Sequence, residues 1–506
     1  MKTASLLRVA VVLLFAAGAA MAQDKPPEKA PDKPQEKAQE QKAQEQKREP
    51  AQNILRLLPA DSVSEKTIAT AQGKLTYTAT AGTLAFYDQQ GNQSASVFYT
   101  AYTVKGANRP VTFGFNGGPG AASAYLHLGL VGPRILELGP DGHDATRAAL
   151  RDNPETWLRF TDLVMIDPIG TGWSRAAKSD EAKGFWSVNS DANAMAKAIS
   201  LYVTHNNRGG SPKFLLGESY GGLRAVKTAR ALLRDQGLAV SGLIMLSPLL
   251  EGWLTFGDDN SALRAALQLP SLAAAELERK KAFTLEAQMA AEKFAMTDYL
   301  TTLAVRPPEG DAAKSFYARV ANVAGLPEAT VRQSRGFIND FVKSLRIGKI
   351  VSRYDADFAV DDPFPDRRTS RGGDPVLDGV TRAYGGGFAD YARNELGFKT
   401  EMTYTLLAND VNGAWDWHGG RFQTGTEDDM RTLLAFSPSF KILVAHGYSD
   451  MVTPYGMTRY VLDHIPQIGA PGRVRLNLYR GGHMFYIAPQ ERKAFSNDAA
   501  AFYRAD

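Results

Sequence analysis

The sequence predicts an α/β fold, a mostly parallel central sheet interrupted by a largely helical insertion. Three observations predict it. Short apolar runs of strand length alternate with helix-length segments between residues 110 and 246, the pattern of parallel strands joined by right-handed crossovers. The rhythm stops near Glu251, where an Ala-, Leu- and Glu-rich region begins. It resumes after Ser437 and continues towards the C-terminus.

Residues 1–22 have the pattern of a secretory leader: Lys2 and Arg8, an apolar run at 9–20, and Ala20-Met21-Ala22 as a small-residue cleavage site. The apolar run falls short of the roughly 20 residues that a spanning helix requires, so an exported protein without a membrane anchor is expected, periplasmic or extracellular. Residues 23–52 form a linker rich in Pro, Lys, Glu, Gln and Ala, in which seven acids balance seven bases between Asp24 and Pro50. Such a segment has too little apolar surface to offset its ordering entropy.

The body divides into a first α/β part at 53–251, an insertion or cap at 252–430, and a second α/β part at 431–506. Alternation typical of strands runs from Ser62 to about Thr112, with Gly82 and Gly91-Asn92 as turn signals. Buried strands are predicted at 110–115, 163–166, 213–216 and 243–246, and helices at 190–205 and 222–236. Helical periodicity covers 262–295 and recurs to about Arg346, while 350–430 reads as loop-rich. The last part predicts a strand at 440–445, a helix at 457–465, a strand at 474–479 and a helix at 489–503.

Composition excludes several chemistries. The chain has 506 residues and no cysteine, which removes disulfide frameworks, iron–sulfur clusters and cysteine nucleophiles. Its net charge is only +4, with no clustered basic face of the kind nucleic acid requires. No H-E-x-x-H or comparable metal-ligand spacing appears, nor a phosphate-binding Gly-rich loop after a strand. No cofactor is expected.

One constellation carries chemistry. Gly217-Glu218-Ser219-Tyr220-Gly221 has the G-x-S-x-G spacing of a nucleophile elbow, with an apolar strand before it and a helix after it. In α/β-hydrolases the acid and then the base follow after late strands. Asp450 and His483 stand in those places. Gly481 and Gly482 give the histidine loop freedom to turn back. His446 is a rival base, but only four residues before Asp450 it fits better as a wall of the site. His127, His143, His205, His418 and His464 have no matching order and read as surface or packing residues. One oxyanion donor would be the Tyr220 amide, and the other would come from Asn116-Gly117-Gly118-Pro119-Gly120.

Together, N-G-G-P-G-A-A-S, D-P-I-G-T-G-W-S from Asp167, G-E-S-Y-G-G, D-M-V-T-P and G-G-H-M resemble the serine carboxypeptidases, the carboxypeptidase Y and cathepsin A type of α/β-hydrolase. The resemblance spans about 110–255 and 435–490. It implies Ser219, Asp450 and His483 as the triad, with Gly118 and Tyr220 donating to the oxyanion. Asn116 and a protonated Glu218 would hold the C-terminal carboxylate of a peptide. Three positions depart from the family pattern: Ala121 replaces a usual Cys, Leu130 a usual supporting Glu, and Tyr448 a usual acid. A weaker carboxylate preference is therefore expected. An esterase or acyltransferase would use the same triad. A catalytically silent binding protein is the alternative from another class, and the intact triad pattern argues against it.

The linker reading makes a direct prediction. A chain starting at Asn53 should fold and turn over as the longer one does, whereas a large fall in thermal stability on that truncation would mean that 23–52 packs on the body.

Overall fold

The structure, a computed structural model, describes residues 54–139, 142, 144–338, 348–366 and 373–504. The expected leader (1–22), the linker (23–52) and His143 lie outside these residues. Nine strands form the main path of a ten-stranded sheet: β1 (Ser62–Thr70), β2 (Gly73–Tyr87), β3 (Gln93–Thr103), β4 (Val111–Phe115), β5 (Asp162–Ile166), β6 (Lys213–Glu218), β7 (Gly242–Leu246), β8 (Lys441–Gly447) and β9 (Val474–Tyr479). Their spatial order is β1-β2-β3-β5-β4-β6-β7-β8-β9, with the two-residue strand Arg175–Ala176 paired to β3. The pairs β1–β2, β2–β3 and β3–β5 are antiparallel. All later neighbours run parallel. This is a mostly parallel α/β sheet with an antiparallel end.

The parallel strands are continuous apolar runs because both of their faces are covered. Successive residues enter opposite cores. Phe214, Leu216, Ile244, Leu246, Leu443 and Ala445 pack on one side; Leu215, Leu243, Met245, Ile442 and Val444 pack on the other. The first side is covered by the helix α6 (Pro489–Arg504), through Phe495 and Phe502. The second is covered by α1 (Val188–His205), α2 (Tyr220–Asp235) and α5 (Tyr455–His464).

Between β7 and β8 the chain leaves the sheet. The helix α3 (Ala262–Arg279) and the helices Leu285–Phe294 and Gly310–Ala324 build a separate apolar core that includes Leu269, Leu272, Phe294, Tyr299, Tyr317 and Val320. Met451, the neighbour of Asp450, is buried in that same core.

Two sequence expectations are corrected. The stretch 350–430 is loop-rich but not throughout, because it holds the 20-residue helix α4 (Pro375–Asn394) and the start of the helix Glu427–Phe436. Asp374 caps α4 by accepting from the Val376 and Leu377 amides, and Pro375 occupies its first turn. Gly385-Gly386-Gly387 oppose a helix here, since each glycine costs it about 1 kcal/mol. Burial of Val376, Val380, Tyr384, Phe388 and Tyr391 on one face outweighs that cost. Gly82 is likewise no turn. It lies inside the unbroken strand β2, opposite Tyr99. It admits the Asp61 carboxylate, which accepts from the Thr83 amide at 3.0 Å and the Tyr99 hydroxyl at 3.2 Å; an ideal Cβ on Gly82 would lie 2.2 Å from that carboxylate.

The insertion meets the body closely where α5 crosses α3. An ideal Cβ on Gly456 would lie 2.3 Å from the Leu267 carbonyl oxygen, a backbone atom that cannot swing aside. Gly456→Ala should therefore destabilise the protein by about 1–3 kcal/mol, read as a lower urea midpoint with an unchanged slope.

Candidate active site

Strand β6 runs into α2 through Ser219, whose backbone sits at φ 61°, ψ −127°, a region costly for a residue with a Cβ. Hydrogen bonds impose that conformation. The Ser219 amide donates to the Leu246 carbonyl at 2.9 Å, and its carbonyl accepts from Gly222 at 2.9 Å and Leu249 at 3.0 Å. The flanking glycines are demanded by space. An ideal Cβ on Gly217 would lie 1.9 Å from the Gly221 carbonyl oxygen, and one on Gly221 would lie 2.7 Å from that of Phe115. Ser219 is thus held at the carboxyl edge of the sheet, at the N-terminus of α2.

The loop after β4 abuts this elbow. A Cβ on Gly117 would lie 2.6 Å from the Tyr220 amide nitrogen, so the two candidate donor segments are in contact. Tyr220 opens α2, and its amide is one of the first four, which have no intrahelical acceptor. Gly118 lines a cavity of about 90 Å³ together with Ser219, His483, Asn116 and Glu218. Arg224, one turn into α2 and fully buried, ties these parts together. Its Nε donates to Asp191 on α1 at 2.6 Å, its Nη1 donates to the Asn116 carbonyl, and its guanidinium lies 5.0 Å from the centre of the Tyr220 ring.

Asp450 and His483 follow β8 and β9. His483 Nδ1 lies 2.8 Å from Asp450 Oδ2, which assigns the proton to Nδ1 and leaves Nε2 as the ring's acceptor. Asp450 Oδ1 accepts from the Val452 amide at 2.8 Å and the Thr453 amide at 3.1 Å. The Thr453 hydroxyl lies 2.9 Å from Asp450 Oδ2 and 3.2 Å from His483 Nδ1. The main chain of His483 is gripped on both sides. Its amide donates to the Tyr354 carbonyl at 2.5 Å, and its carbonyl accepts from the Ser247 hydroxyl at 2.9 Å. The Tyr354 ring stands nearly perpendicular to the imidazole, with centroids 5.1 Å apart. Burial opposes charge on His483, but the charge and hydrogen bond of Asp450, with Glu218 nearby, outweigh it and hold the imidazole above its ordinary value.

Glu218 is buried beside Ser219. Its pKa is pushed up to about 7, chiefly by burial, while the charge of His483, a hydrogen bond from Tyr486 and the nearness of the Asn116 amide pull the other way. The Tyr486 hydroxyl donates to Glu218 Oε2 at 2.5 Å. Asn116 Oδ1 accepts from the Leu126 amide at 3.0 Å, which sets the orientation of the side-chain amide. Its Nδ2 is buried, with no hydrogen-bond partner of good geometry among the described residues.

Ser219, His483, Asn116, Gly118 and Glu218 line one cavity, with Asp450 bonded behind His483 and the Tyr220 amide beside the elbow. His446 corrects its sequence assignment. It does not line that cavity but lies behind Asp450, its Nδ1 3.8 Å from Oδ2 and its Nε2 2.8 Å from the Thr458 hydroxyl. Burial lowers its pKa to about 3, so the ring stays neutral. His127 is a buried packing residue bonded to the Tyr102 hydroxyl at 2.8 Å, while His205, His418 and His464 are exposed. Leu130 is fully buried. Tyr448 packs on Phe283 and Tyr455.

Sequence reasoning missed Arg224, Ser247, Tyr354, Thr453 and Tyr486. Thr453, three residues beyond Asp450, lay within the singled-out D-M-V-T-P, whereas Tyr486 lies two residues beyond G-G-H-M. Tyr354 and Ser247 carried no local signal. Among the described residues no group of three or more His, Asp or Glu side chains is placed to hold a metal ion.

Comparison with known proteins follows the same outline. The serine carboxypeptidase family model matches residues 72–249. Serine carboxypeptidase-like 44 of Arabidopsis thaliana is 29% identical over 149 residues, 29% of this chain and 29% of the relative. Carboxypeptidase sxa2 of Schizosaccharomyces pombe is 27% identical over 154 residues, 30% of this chain and 28% of the relative. The match thus spans less than a third of the length of these curated relatives. Among solved structures, a proline iminopeptidase from Mycobacterium smegmatis covers 84% of this chain and 97% of its own, at 16% identity and a TM-score of 0.37.

The two buried histidines beside Asp450 separate experimentally. His483→Ala should lower the kcat for an activated ester by about 10⁴-fold or more. His446→Ala should lower the unfolding midpoint and leave kcat within about tenfold, because it removes the Thr458 contact and opens a void. The opposite pattern would exchange their roles.

Proposed function

We propose that this chain, which carries the serine carboxypeptidase match over residues 72–249, is an exported serine carboxypeptidase that removes residues from peptide C-termini. Ser219 Oγ attacks the last peptide carbonyl as His483 Nε2 takes its proton, and Asp450 stabilises the imidazolium that forms. The Gly118 and Tyr220 amides receive the developing oxyanion. His483 then returns the proton to the leaving amine, the C-terminal amino acid departs, and the acyl chain stays on Ser219 as an ester. Water activated by the same histidine hydrolyses that ester.

The observation that carries the exopeptidase reading is the pair beside the nucleophile: a buried carboxyl that keeps its proton near neutrality and an unpaired amide donor from Asn116, both lining the Ser219 cavity. Two donors suit the two oxygens of a terminal carboxylate, whereas an ester needs neither. An esterase or acyltransferase on the same triad is the second reading. It is favoured by Leu130, an apolar side chain where the resemblance leads one to expect a supporting acid. Export rests on the leader pattern at 1–22, and no helix among the described residues is long and apolar enough to cross a membrane.

The pH profile follows from the two shifted groups. His483 must be neutral to accept the serine proton, so kcat should fall as pH drops through its raised pKa. Glu218 must be protonated to donate, so KM for a peptide should rise as pH climbs through about 7. An ester should show only the first limb. A fluorophosphonate should label Ser219, and Ser219→Ala should abolish both labelling and turnover. The deciding comparison is a blocked peptide with a free C-terminus against its C-terminal amide. Equal cleavage of the two would leave Ser219 serving an esterase or acyltransferase, and unchanged turnover in Ser219→Ala would remove the triad.

A further inference from the structure

We infer that Tyr486 is a specificity-determining residue of this site: its hydroxyl holds one oxygen of Glu218, so that the proton of the acid is presented from the other oxygen to the carboxylate of a peptide C-terminus. The inference rests on the carboxypeptidase reading and names the group that makes its carboxylate subsite directional.

The geometry begins with the hydrogen bond from Tyr486 to Glu218 Oε2. A carboxyl group has two oxygens and, when protonated, one hydrogen. With a hydroxyl donating to Oε2, the proton is better placed on Oε1, because an acid oxygen that carries hydrogen is a poor acceptor. Without that donor the proton divides its time between the two oxygens, and one buried oxygen loses its partner. The second donor of the site is set in the same way: the Leu126 amide engages Asn116 Oδ1 and so directs Nδ2. A carboxylate entering the cavity therefore meets one oriented amide and one oriented acid.

Tyr486 is built into this position rather than merely near it. It is fully buried in the short turn Phe485–Ile487, directly after the His483 loop. Its ring lies against Gly129, where an ideal Cβ would be 2.8 Å from Tyr486 Cε2 and 3.0 Å from the Tyr384 hydroxyl. Any side chain at 129 would push the ring away. Leu130 beside it is buried and apolar, so the partner of Glu218 comes from the far end of the chain instead of from this segment. Its carbonyl accepts from Arg492 on α6 at 3.4 Å.

The groups that face Glu218 determine the direction of its titration. His483, Tyr486 and Asn116 favour the charged form, and burial and Asp450 oppose it. The hydroxyls of Tyr125, Tyr354 and Tyr384 are pushed up by burial and stay neutral in this range. Removing the Tyr486 hydroxyl takes away a donor to the carboxylate, so Glu218 should then ionise at higher pH.

Tyr486→Phe deletes that hydroxyl and keeps the ring. Three substrates should be compared in both proteins: a blocked dipeptide with a free C-terminus, its C-terminal amide, and a blocked amino-acid ester. Below pH 7, KM for the free acid should rise about tenfold, the loss expected for a hydrogen bond to a charged partner. Amide and ester should change less than about twofold. The alkaline rise in KM for the acid should move to higher pH. An equal effect on acid and amide, which leaves their ratio unchanged, would make Tyr486 a packing residue and overturn the inference. If the unaltered enzyme already cleaves acid and amide equally, there is no carboxylate subsite, and the proposed function falls together with this role.

Discussion

Ser219 holds its backbone at φ 61° because the main chain around it has no other way to complete its hydrogen bonds. Its amide closes on the end of β7, its carbonyl takes two amides, and glycines on either side let three segments of backbone touch. Such a conformation costs on the order of 1–3 kcal/mol and persists only inside a structure that over-determines it. The parallel strands provide that determination, since β4, β6 and β7 present their carboxyl ends side by side. Arg224 adds a charged brace from α2 to the loop after β4 and to α1. The relation between Ser219 and the candidate oxyanion donors is thus a property of the sheet, not of a mobile loop.

Around this elbow the protein buries Asp450, His483 and Glu218, and their neighbours decide which of them is charged. Asp450 receives two backbone amides and the imidazole, so its charge is compensated locally. His483 gains from Asp450 more than it loses by leaving water. Glu218 receives a tyrosine hydroxyl and no full-time cation, and burial keeps its proton on to about pH 7. Burial thus leaves Glu218 able to donate a hydrogen bond into the cavity that Ser219 and His483 line.

The insertion contributes to this arrangement as backbone, in a chain without disulfides. Ala122 donates to the Leu406 carbonyl, Ala408 donates to the Gly120 carbonyl, and Ala121 bridges Leu407, which stitches the loop after β4 to the segment before the helix Glu427–Phe436. On the other side of the cavity, Met451 donates to Arg353, Ala356 donates to Ser449, and His483 donates to Tyr354. Asp374 steadies this second strap through Ser352 and the Arg353 amide while capping α4. Leu377, Leu407 and Tyr354 then form part of the cavity wall. The same segments that support the loops also shape what can enter.

The sheet and the places of Ser219, Asp450 and His483 directly after their strands were legible in the sequence, because each is carried by a local signal. A buried parallel strand is a short apolar run, an elbow demands small residues at particular spacings, and chain order limits which late loops can reach it. Helix α4 escaped because its three glycines speak locally against a helix that only burial of its other face stabilises. The same limit hid Ser247, Tyr354 and Tyr486. A serine after a strand or a tyrosine in a loop has no distinguishing neighbours, and its contact lies far along the chain, as with Tyr486 and Glu218, 268 residues apart. His446 shows the converse. Its place after the right strand suggested a site wall, yet the direction of its side chain, set by packing against α5, turned it behind the acid. Residue type and spacing determined which groups could do chemistry. Only the folded chain decided which of them face the same cavity, because side-chain direction and long-range hydrogen bonds are settled by packing.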